Sequence, residues 1–501
     1  MIESPFAPIC NELAAKFDEA DINHDLERIK ALIIEAKVIL SDHDEPAYAP
    51  LFYSVGTSTT IVRDAIMAAM PLEENAYTDL ETIKTHSEAI WYFRHAEELV
   101  NRIEETEDTK PHLIGFKMIL FVNLGNALDF CGRKCSAIDY YSKAIALHPF
   151  GMALGNIGRC LEHYASLEGD SGHRTVLYQT AYQYFLDGEK CDDTYTYQEA
   201  KDGFRKHREA LEQRFGKKAL AAPIDFVPVE QESENEADYR YWCLKNHLFL
   251  NTLNDLVEIN PSFITDPLHI ISITTGIEQE RPPFVFEMFD QVKEEYIYAR
   301  YLFYEVINSD YEVHFADKET CLDDVLNYST YSIRIEKLKT AFRTVYSLLD
   351  RIAFLLNGYL KLGIEEKKVG FDRIWDSLVE KEKQNIAIWA LHWINRDFKD
   401  KFGNADTPHT KKLKDLRNAL EHKFVSVHML PIENEIELGD DFIYRISEEH
   451  LIQYTMELIK IVREALIELT VAIRIEEFHR NDESKRVAHI PVHEYLDEFK
   501  R

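Results

Sequence analysis

The chain has 501 residues, 46% hydrophobic and 29% charged, which is the composition of a globular protein and excludes a wholly disordered chain. Its formal net charge of −31 disfavours a general nucleic-acid coat protein, because phosphate binding depends on Lys and Arg. Only 18 Gly and 16 Pro interrupt the sequence, so we predict long helices and an all-α fold.

The N-terminal segment and the cysteines predict a cytoplasmic protein. No basic segment is followed by an apolar one at the start, and no apolar run approaches the length that spans a bilayer, so we expect no membrane association. Seven scattered cysteines do not fit a disulfide framework. Cys131 and Cys135 lack a second Cys or His pair at zinc-finger spacing, so we expect incidental thiols, with no metal and no cofactor.

A repeat of 33 residues lies in the N-terminal part of the chain, where segment 123–128 (NLGNAL) recurs as 156–161 (NIGRCL). The small, aromatic and helix-breaking positions that follow Gly125 are Ala137, Tyr141, Ala144 and Pro149. Gly125 and Ala137 allow two helices to approach closely, and Tyr141 fills the groove between them. This pattern resembles the tetratricopeptide (TPR) repeat, a pair of helices.

Weaker copies of the same spacing flank the central repeat. They consist of Gly56, Ala89, Phe93 and Ala96 upstream, and of Ala181 and Phe185 downstream. We therefore predict a TPR-like helical solenoid over residues 1–215, with a protein or peptide as its partner. An ordinary helical bundle is the alternative.

The rest of the chain predicts a linker, a connecting segment and a bundle. Two prolines and an acidic run indicate an exposed linker at 216–238, and the aromatic-rich segment 239–284 connects it to a helical domain at 285–501. Long periodic stretches predict that this domain is a bundle. Its helices are expected at about 285–310, 330–363, 371–400, 408–428 and 448–480.

The short helix 408–428 carries Arg417, Asn418 and His422. Arginine, a polar residue and a histidine five positions after the arginine resemble the motif of the HEPN superfamily, whose domains are four-helix bundles. Two other Arg-x4-His matches, Arg445…His450 and Arg474…His479, have Ile after the arginine, where the catalytic pattern requires a polar residue.

These residue types suit metal-independent RNA cleavage. Asn418 and His422 lie one turn apart on a helix, with Arg417 beside them. A histidine can transfer protons near neutral pH, and a guanidinium can hold two phosphate oxygens. We therefore assign proton transfer to His422, phosphate binding to Arg417 and an orienting role to Asn418.

The segment around the motif is locally basic. Residues 396–424 hold eight Lys or Arg and five Asp or Glu, a local charge of +3. We expect RNA phosphates to contact Lys411, Lys412, Lys414 and Lys423. A solvated helix face is the alternative.

Asp350 is a further catalytic candidate, since an acid within an apolar helix usually needs a partner. HEPN domains often place a polar or acidic residue on an earlier helix opposite the motif, so we expect Asp350 to face Arg417. A surface acid at the helix edge is the alternative.

The resemblance implies a metal-independent endoribonuclease that leaves 2′,3′-cyclic phosphate and 5′-OH ends. It also implies a homodimer, in which the partner subunit's His422 supplies the second proton carrier. A TPR–HEPN pairing suits a toxin or antiviral effector, with tRNA as one candidate substrate. The alternatives are a non-catalytic HEPN/TPR adaptor or nucleotide-binding scaffold, and a TPR peptide-binding regulator with an unrelated bundle.

Overall fold

In the computed structural model the described residues form 16 α-helices, short 3-10 turns and six short strands. The described residues are 4–71, 79–192, 196–224, 229–231, 233–256, 260–276, 284–309, 313–323, 328–378, 384–399, 401–402, 405–406, 408–429, 442–481, 487–491 and 500. The all-α prediction is confirmed. Two compact units result: Met1–Asp225 with Lys401–Thr407, and Phe226–Asp400 with Pro408–Arg501.

The first unit consists of consecutive helices that pack as hairpins, chiefly α3 with α4, α5 with α6, and α7 with α8 in the list that follows. The helices are α1 Pro8–Ile22, α2 Leu26–Leu40, α3 Ala49–Ala69, α4 Leu80–Asn101, α5 Lys110–Phe130, α6 Lys134–Leu147, α7 Gly151–Leu167, α8 Ser171–Lys190, α9 Gln198–Phe215 and α10 Lys217–Leu220.

Glycine–aromatic contacts hold these hairpins together. A Cβ atom on Gly125 would lie 2.5 Å from Cε1 of Tyr141, so only glycine allows α5 and α6 to approach this closely. The same relation joins Gly56 to Phe93 and Gly158 to Phe185. The predicted packing of Tyr141 on Gly125 is confirmed, whereas the assignment of these hairpins to the TPR family stays a prediction.

Helix α5 corrects one sequence-based expectation. Among the described residues, this one helix is long and apolar enough to cross a membrane by length and composition, although no apolar run was expected to approach that length. More than half of its apolar window is buried, because α5 packs against α3, α4, α6 and α7. A helix covered on several sides in a protein core needs apolar residues all round.

The second unit is a four-helix bundle of α12, α13, α14 and α16, with α15 packed against α13 and α14. Its helices are α11 Glu234–Lys245, α12 Phe284–Asn308, α13 Ile333–Leu360, α14 Ile386–Lys399, α15 Pro408–His422 and α16 Glu448–Asn481. Its strands pair as β1 Ser272–Gly276 with β6 Val487–Pro491, and β4 Phe424–His428 with β5 Ile443–Ser447, whereas β2 Lys401–Phe402 and β3 Ala405–Asp406 pair in the first unit.

Two helices are shorter than the sequence predicted. The helix expected over 371–400 begins at Ile386, because Asn385 Oδ1 accepts hydrogen bonds from two backbone N–H groups of its first turn, and a 3-10 turn precedes it at Ile374–Ser377. The helix expected over 408–428 ends at His422. The alternating sequence FVSVH then forms β4, which pairs in parallel with β5.

Two buried ion pairs anchor part of the connecting segment to the bundle. Arg300 of α12 forms an ion pair with Asp266 at 2.8 Å, and Arg463 of α16 forms one with Asp255 at 2.7 Å. Burial alone would raise the pKa of Asp266, but the adjacent Arg300 guanidinium holds it below its usual value. These arginines also donate to backbone carbonyls of Leu248 and Phe249, so the segment is part of the core of this unit.

Candidate active site

Helix α15 presents one apolar face to the bundle. Leu413 and Leu416 are fully buried, and Ala419 follows on the same face with 2% of its surface exposed. Pro408 lies at the first helical position, where its missing N–H costs no hydrogen bond, and the helix ends at His422. Burial of this face orients the motif residues toward the opposite side or edge of the helix.

The motif residues lie on the remaining surface of α15. Asn418 is half-buried and His422 is exposed, one turn apart on the side opposite the buried leucines. Arg417 is half-buried at the edge of that surface. In the described part of the chain, the His422 side chain makes no hydrogen bond or ion pair.

Among the described residues, Arg417 has one side-chain hydrogen bond and one contact with an aromatic ring, and neither neutralises its charge. Nη1 of Arg417 donates to Oδ1 of Asn418 at 3.2 Å, and its guanidinium carbon lies 5.6 Å from the centroid of the Tyr346 ring. Within the described ranges no carboxylate forms an ion pair with Arg417. A half-buried, unneutralised guanidinium beside a polar residue can receive an anionic group such as a phosphate.

Tyr346 of α13 is a site residue that the sequence analysis did not assign. Its ring packs edge-on against Phe398 of α14, with the centroids 5.7 Å apart, and also contacts the guanidinium group of Arg417. Burial raises the pKa of Tyr346. The positive charge of Arg417 lowers this pKa and the negative charge of Asp350 raises it, and the net increase keeps the phenol neutral at neutral pH. The sequence signal that could have identified Tyr346 is its position one helical turn before Asp350.

Asp350 does not form the expected ion pair with Arg417 among the described residues. Instead, its Oδ1 accepts a hydrogen bond at 2.9 Å from the backbone N–H of Phe371, in the segment between α13 and α14. Asp350 and Arg417 both lie close enough to Tyr346 to influence its pKa. Asp350 is therefore near the motif, where it anchors a loop.

The four lysines predicted to bind RNA lie along α15 and directly after it. Lys411 and Lys423 are exposed, whereas Lys412 and Lys414 are half-buried. Lys412, Lys414 and Lys423 form no ion pair within the part of the chain that the structure describes. Three cationic groups around the motif are thus available to anions.

The other two Arg-x4-His matches lie elsewhere in the second unit. His450 is in the first turn of α16, stacked on Tyr454, and His479 is near the end of the same helix. No group of three or more His, Cys, Asp or Glu residues that could hold a metal ion occurs among the described residues.

The helical bundle that carries Arg417, Asn418 and His422 lies in the part of the chain that is similar to a HEPN family. Residues 277–476 match the family model described as LA2681-like HEPN, and this match covers about two fifths of the chain. Comparisons with curated proteins and with solved structures gave no match.

Proposed function

We propose that the protein is a metal-independent endoribonuclease whose HEPN-type domain cleaves RNA to 2′,3′-cyclic phosphate and 5′-OH ends. The observation that supports this most is the half-buried Arg417 guanidinium, which has no carboxylate partner among the described residues. It contacts Asn418, which lies one helical turn before the exposed His422, and Lys414 lies on the same side of the helix. A non-catalytic bundle has no need for this arrangement.

The proposed reaction is an in-line transfer of phosphorus from the 5′ oxygen to the adjacent 2′ oxygen. A base removes the 2′-OH proton, the 2′ oxygen forms a bond to phosphorus, and the bond to the 5′ oxygen breaks as that oxygen receives a proton. His422 carries one of these protons. Arg417 holds the phosphate oxygens as their negative charge increases, and Asn418 orients Arg417 or the scissile group.

One histidine of one chain does not supply both proton carriers. We propose a homodimer through the HEPN-type domain, in which the partner subunit's His422 supplies the second. A TPR-like first unit would bind a protein or peptide that restrains the nuclease. A toxin or antiviral role in the cytoplasm, with tRNA among the candidate substrates, fits such a restrained enzyme.

The test is cleavage of total RNA by the purified full chain in EDTA, followed by chemical mapping of the ends. We expect the wild type to leave 2′,3′-cyclic phosphate and 5′-OH ends, and His422→Ala to lose this cleavage. His479→Ala is the matched control, because His479 has the same spacing from an arginine and is also exposed. A requirement for a divalent metal, or full cleavage by His422→Ala, would contradict the proposal.

One observation favours the adaptor or nucleotide-binding scaffold as the second candidate function. The His422 imidazole has no orienting hydrogen bond within the described residues, whereas proton-transferring histidines usually have one. The scaffold hypothesis predicts a wild-type protein that cleaves no RNA at any protein concentration, including those at which it is dimeric.

A further inference from the structure

Aromatic side chains of α11 and α12 form one continuous cluster on the second unit. Tyr239 of α11 contacts Tyr301 and Tyr304 of α12, with ring centroids 5.4 Å and 5.1 Å away. Trp242, one turn further along α11, lies 5.3 Å from the Tyr304 ring. We call Tyr239, Trp242, Tyr301 and Tyr304 the aromatic patch. Tyr298 precedes Tyr301 by one turn on the same side of α12.

The aromatic patch is accessible to other molecules. Tyr301 is 46% exposed and the neighbouring Tyr298 is 54% exposed, whereas Tyr239, Trp242 and Tyr304 are half-buried. Contiguous exposed aromatic surface marks interaction sites, which single exposed apolar side chains do not. Tyrosine and tryptophan are enriched at protein interfaces, because each ring buries a large area and has few rotatable bonds to immobilise.

A buried ion pair holds the aromatic patch in place. Arg300, which forms the ion pair with Asp266, is 1% exposed and donates from Nε to the Tyr239 hydroxyl at 2.9 Å. Its guanidinium carbon also lies 5.7 Å from the centroid of the Tyr239 ring. Tyr239 is therefore fixed by the core, and it supports the two α12 rings that it contacts. A surface that is ordered before binding loses less conformational entropy when a partner binds.

Carboxylates without an ion pair flank the rings. Asp238 and Glu294 are exposed, and neither forms an ion pair within the described residues. Burial raises the pKa of Tyr304, and the charge of the nearby Asp238 raises it further. Glu294 lies one turn before Tyr298 on α12. The exposed Lys245 is about two turns from Asp238 on α11, so it leaves that carboxylate unneutralised.

This combination of rings and carboxylates complements a cation. The faces of tyrosine and tryptophan rings attract positive charge, and a carboxylate adds to that attraction. Arginine can use both, since its planar guanidinium stacks on a ring and donates to a carboxylate. Carboxylates repel phosphate groups, which argues against a nucleic acid at this surface. The net charge of −31 favours the approach of a basic partner.

We propose that the aromatic patch, together with Asp238 and Glu294, docks an arginine-bearing basic segment of a partner protein. The guanidinium groups stack on the exposed rings and form ion pairs with the two carboxylates. This inference does not depend on the proposed nuclease, and it assigns a protein partner to the second unit.

The experiment measures binding of a fluorescein-labelled peptide of alternating arginine and glycine to the full chain by fluorescence anisotropy, at one fixed salt concentration. A peptide with citrulline, the uncharged analogue, in place of each arginine should bind more weakly. Tyr301→Leu removes an exposed ring without a change of charge, and we expect it to weaken binding of the arginine peptide by about 2- to 30-fold. Tyr301→Phe keeps the ring and should bind within about twofold of the wild type.

Tyr197→Leu is the matched control, because Tyr197 is 73% exposed and belongs to the first unit. Equal affinities of Tyr301→Leu and Tyr197→Leu for the arginine peptide would overturn the proposal, since net charge alone would then account for binding. Asp238→Asn keeps every ring and tests the site even if Tyr301→Leu does not fold. We expect it to weaken binding about 2- to 5-fold, and the exposed control Asp376→Asn to have no effect.

Two other occupants are distinguished by the same variants. In the His422→Ala background, weaker binding of a single-stranded RNA to Tyr301→Leu than to Tyr197→Leu would overturn the proposal and assign the surface to nucleic acid. A smaller mass of Tyr301→Leu than of the wild type in sedimentation would also overturn it and assign the surface to a second copy of this chain. Unchanged RNA affinity and mass, with weaker binding of the arginine peptide, would support it.

Discussion

The guanidinium carbon of Arg417 lies 5.6 Å from the centroid of the Tyr346 ring, which joins the motif helix α15 to the bundle helix α13. The contact holds a charged side chain at a defined position without neutralising it. A carboxylate in place of the ring would attract the same arginine but would compete with a phosphate for it. Tyr346 is thus a positioning residue for the proposed phosphate-binding group.

Tyr346 variants test this relationship. A cation–π contact contributes about 0.5–2 kcal/mol, so Tyr346→Leu should slow single-turnover RNA cleavage by about 2- to 30-fold. Tyr346→Phe retains the ring and should cleave within about twofold of the wild type. Equal losses in both variants would show that the hydroxyl, and not the ring, matters. Circular dichroism of each variant checks that the bundle is folded.

Asp350 variants separate an anchoring role from a direct one. Asp350→Ala removes the acceptor for Phe371 N–H, and we expect the free energy of unfolding to fall by about 1–3 kcal/mol in urea titrations. Asp350→Asn removes the charge but keeps an oxygen that can accept the hydrogen bond. Its stability and cleavage rate should equal those of Asp376→Asn, the control in which an exposed Asp loses its charge. If Asp350→Asn is stable but does not cleave, the charge of Asp350 acts on the motif directly.

Glycine substitutions test the hairpin packing of the first unit. Gly125→Ala places a methyl group against the Tyr141 ring, and we expect a loss of about 1–3 kcal/mol with a lower midpoint of thermal unfolding. Gly203→Ala in α9 is the control, because a Cβ there meets no heavy atom within 4 Å. It should leave the midpoint unchanged or raise it, since alanine favours helix. A stable Gly125→Ala variant would contradict the close approach of α5 and α6.

A buried histidine makes the stability of the first unit depend on pH. His86 accepts a hydrogen bond from Arg63 at Nδ1 and donates from Nε2 to the Ala127 carbonyl, because a guanidinium has no acceptor. Burial, with the Arg63 charge second, lowers the pKa of His86 from 6.5 to about 3. The unfolded chain therefore binds more protons between these values, so stability falls as the pH drops below 6.5.

We expect a loss of about 2 kcal/mol between pH 7 and pH 5 from this one group. Urea titrations followed by circular dichroism measure it. His86→Gln should show a weaker pH dependence over this interval, whereas the exposed His148→Gln should behave as the wild type. An equally steep pH dependence in His86→Gln would refute the assignment to His86.

The sequence was sufficient for the features that depend on periodicity or on one local motif. The all-α fold, the start of α15 at Pro408 and the packing of Tyr141 on Gly125 follow from breaker frequency, a helix-start signal and residue size. The contact between Arg417 and Tyr346 could not be predicted from the sequence. It joins helices about 70 positions apart, and a single sequence does not show which distant residues pair.

The predicted helix 408–428 extends too far at its C-terminal end. The alternating residues FVSVH after Lys423 favour a strand, and they form β4 paired with the distant β5.

The most direct test of the central claim compares the single-turnover rates of RNA cleavage, in EDTA, of wild type, His422→Ala and His479→Ala. General acid–base catalysis contributes about 10²–10⁴-fold, so the account predicts a loss of that size in His422→Ala and wild-type rates in His479→Ala. Equal rates in His422→Ala and His479→Ala would contradict it.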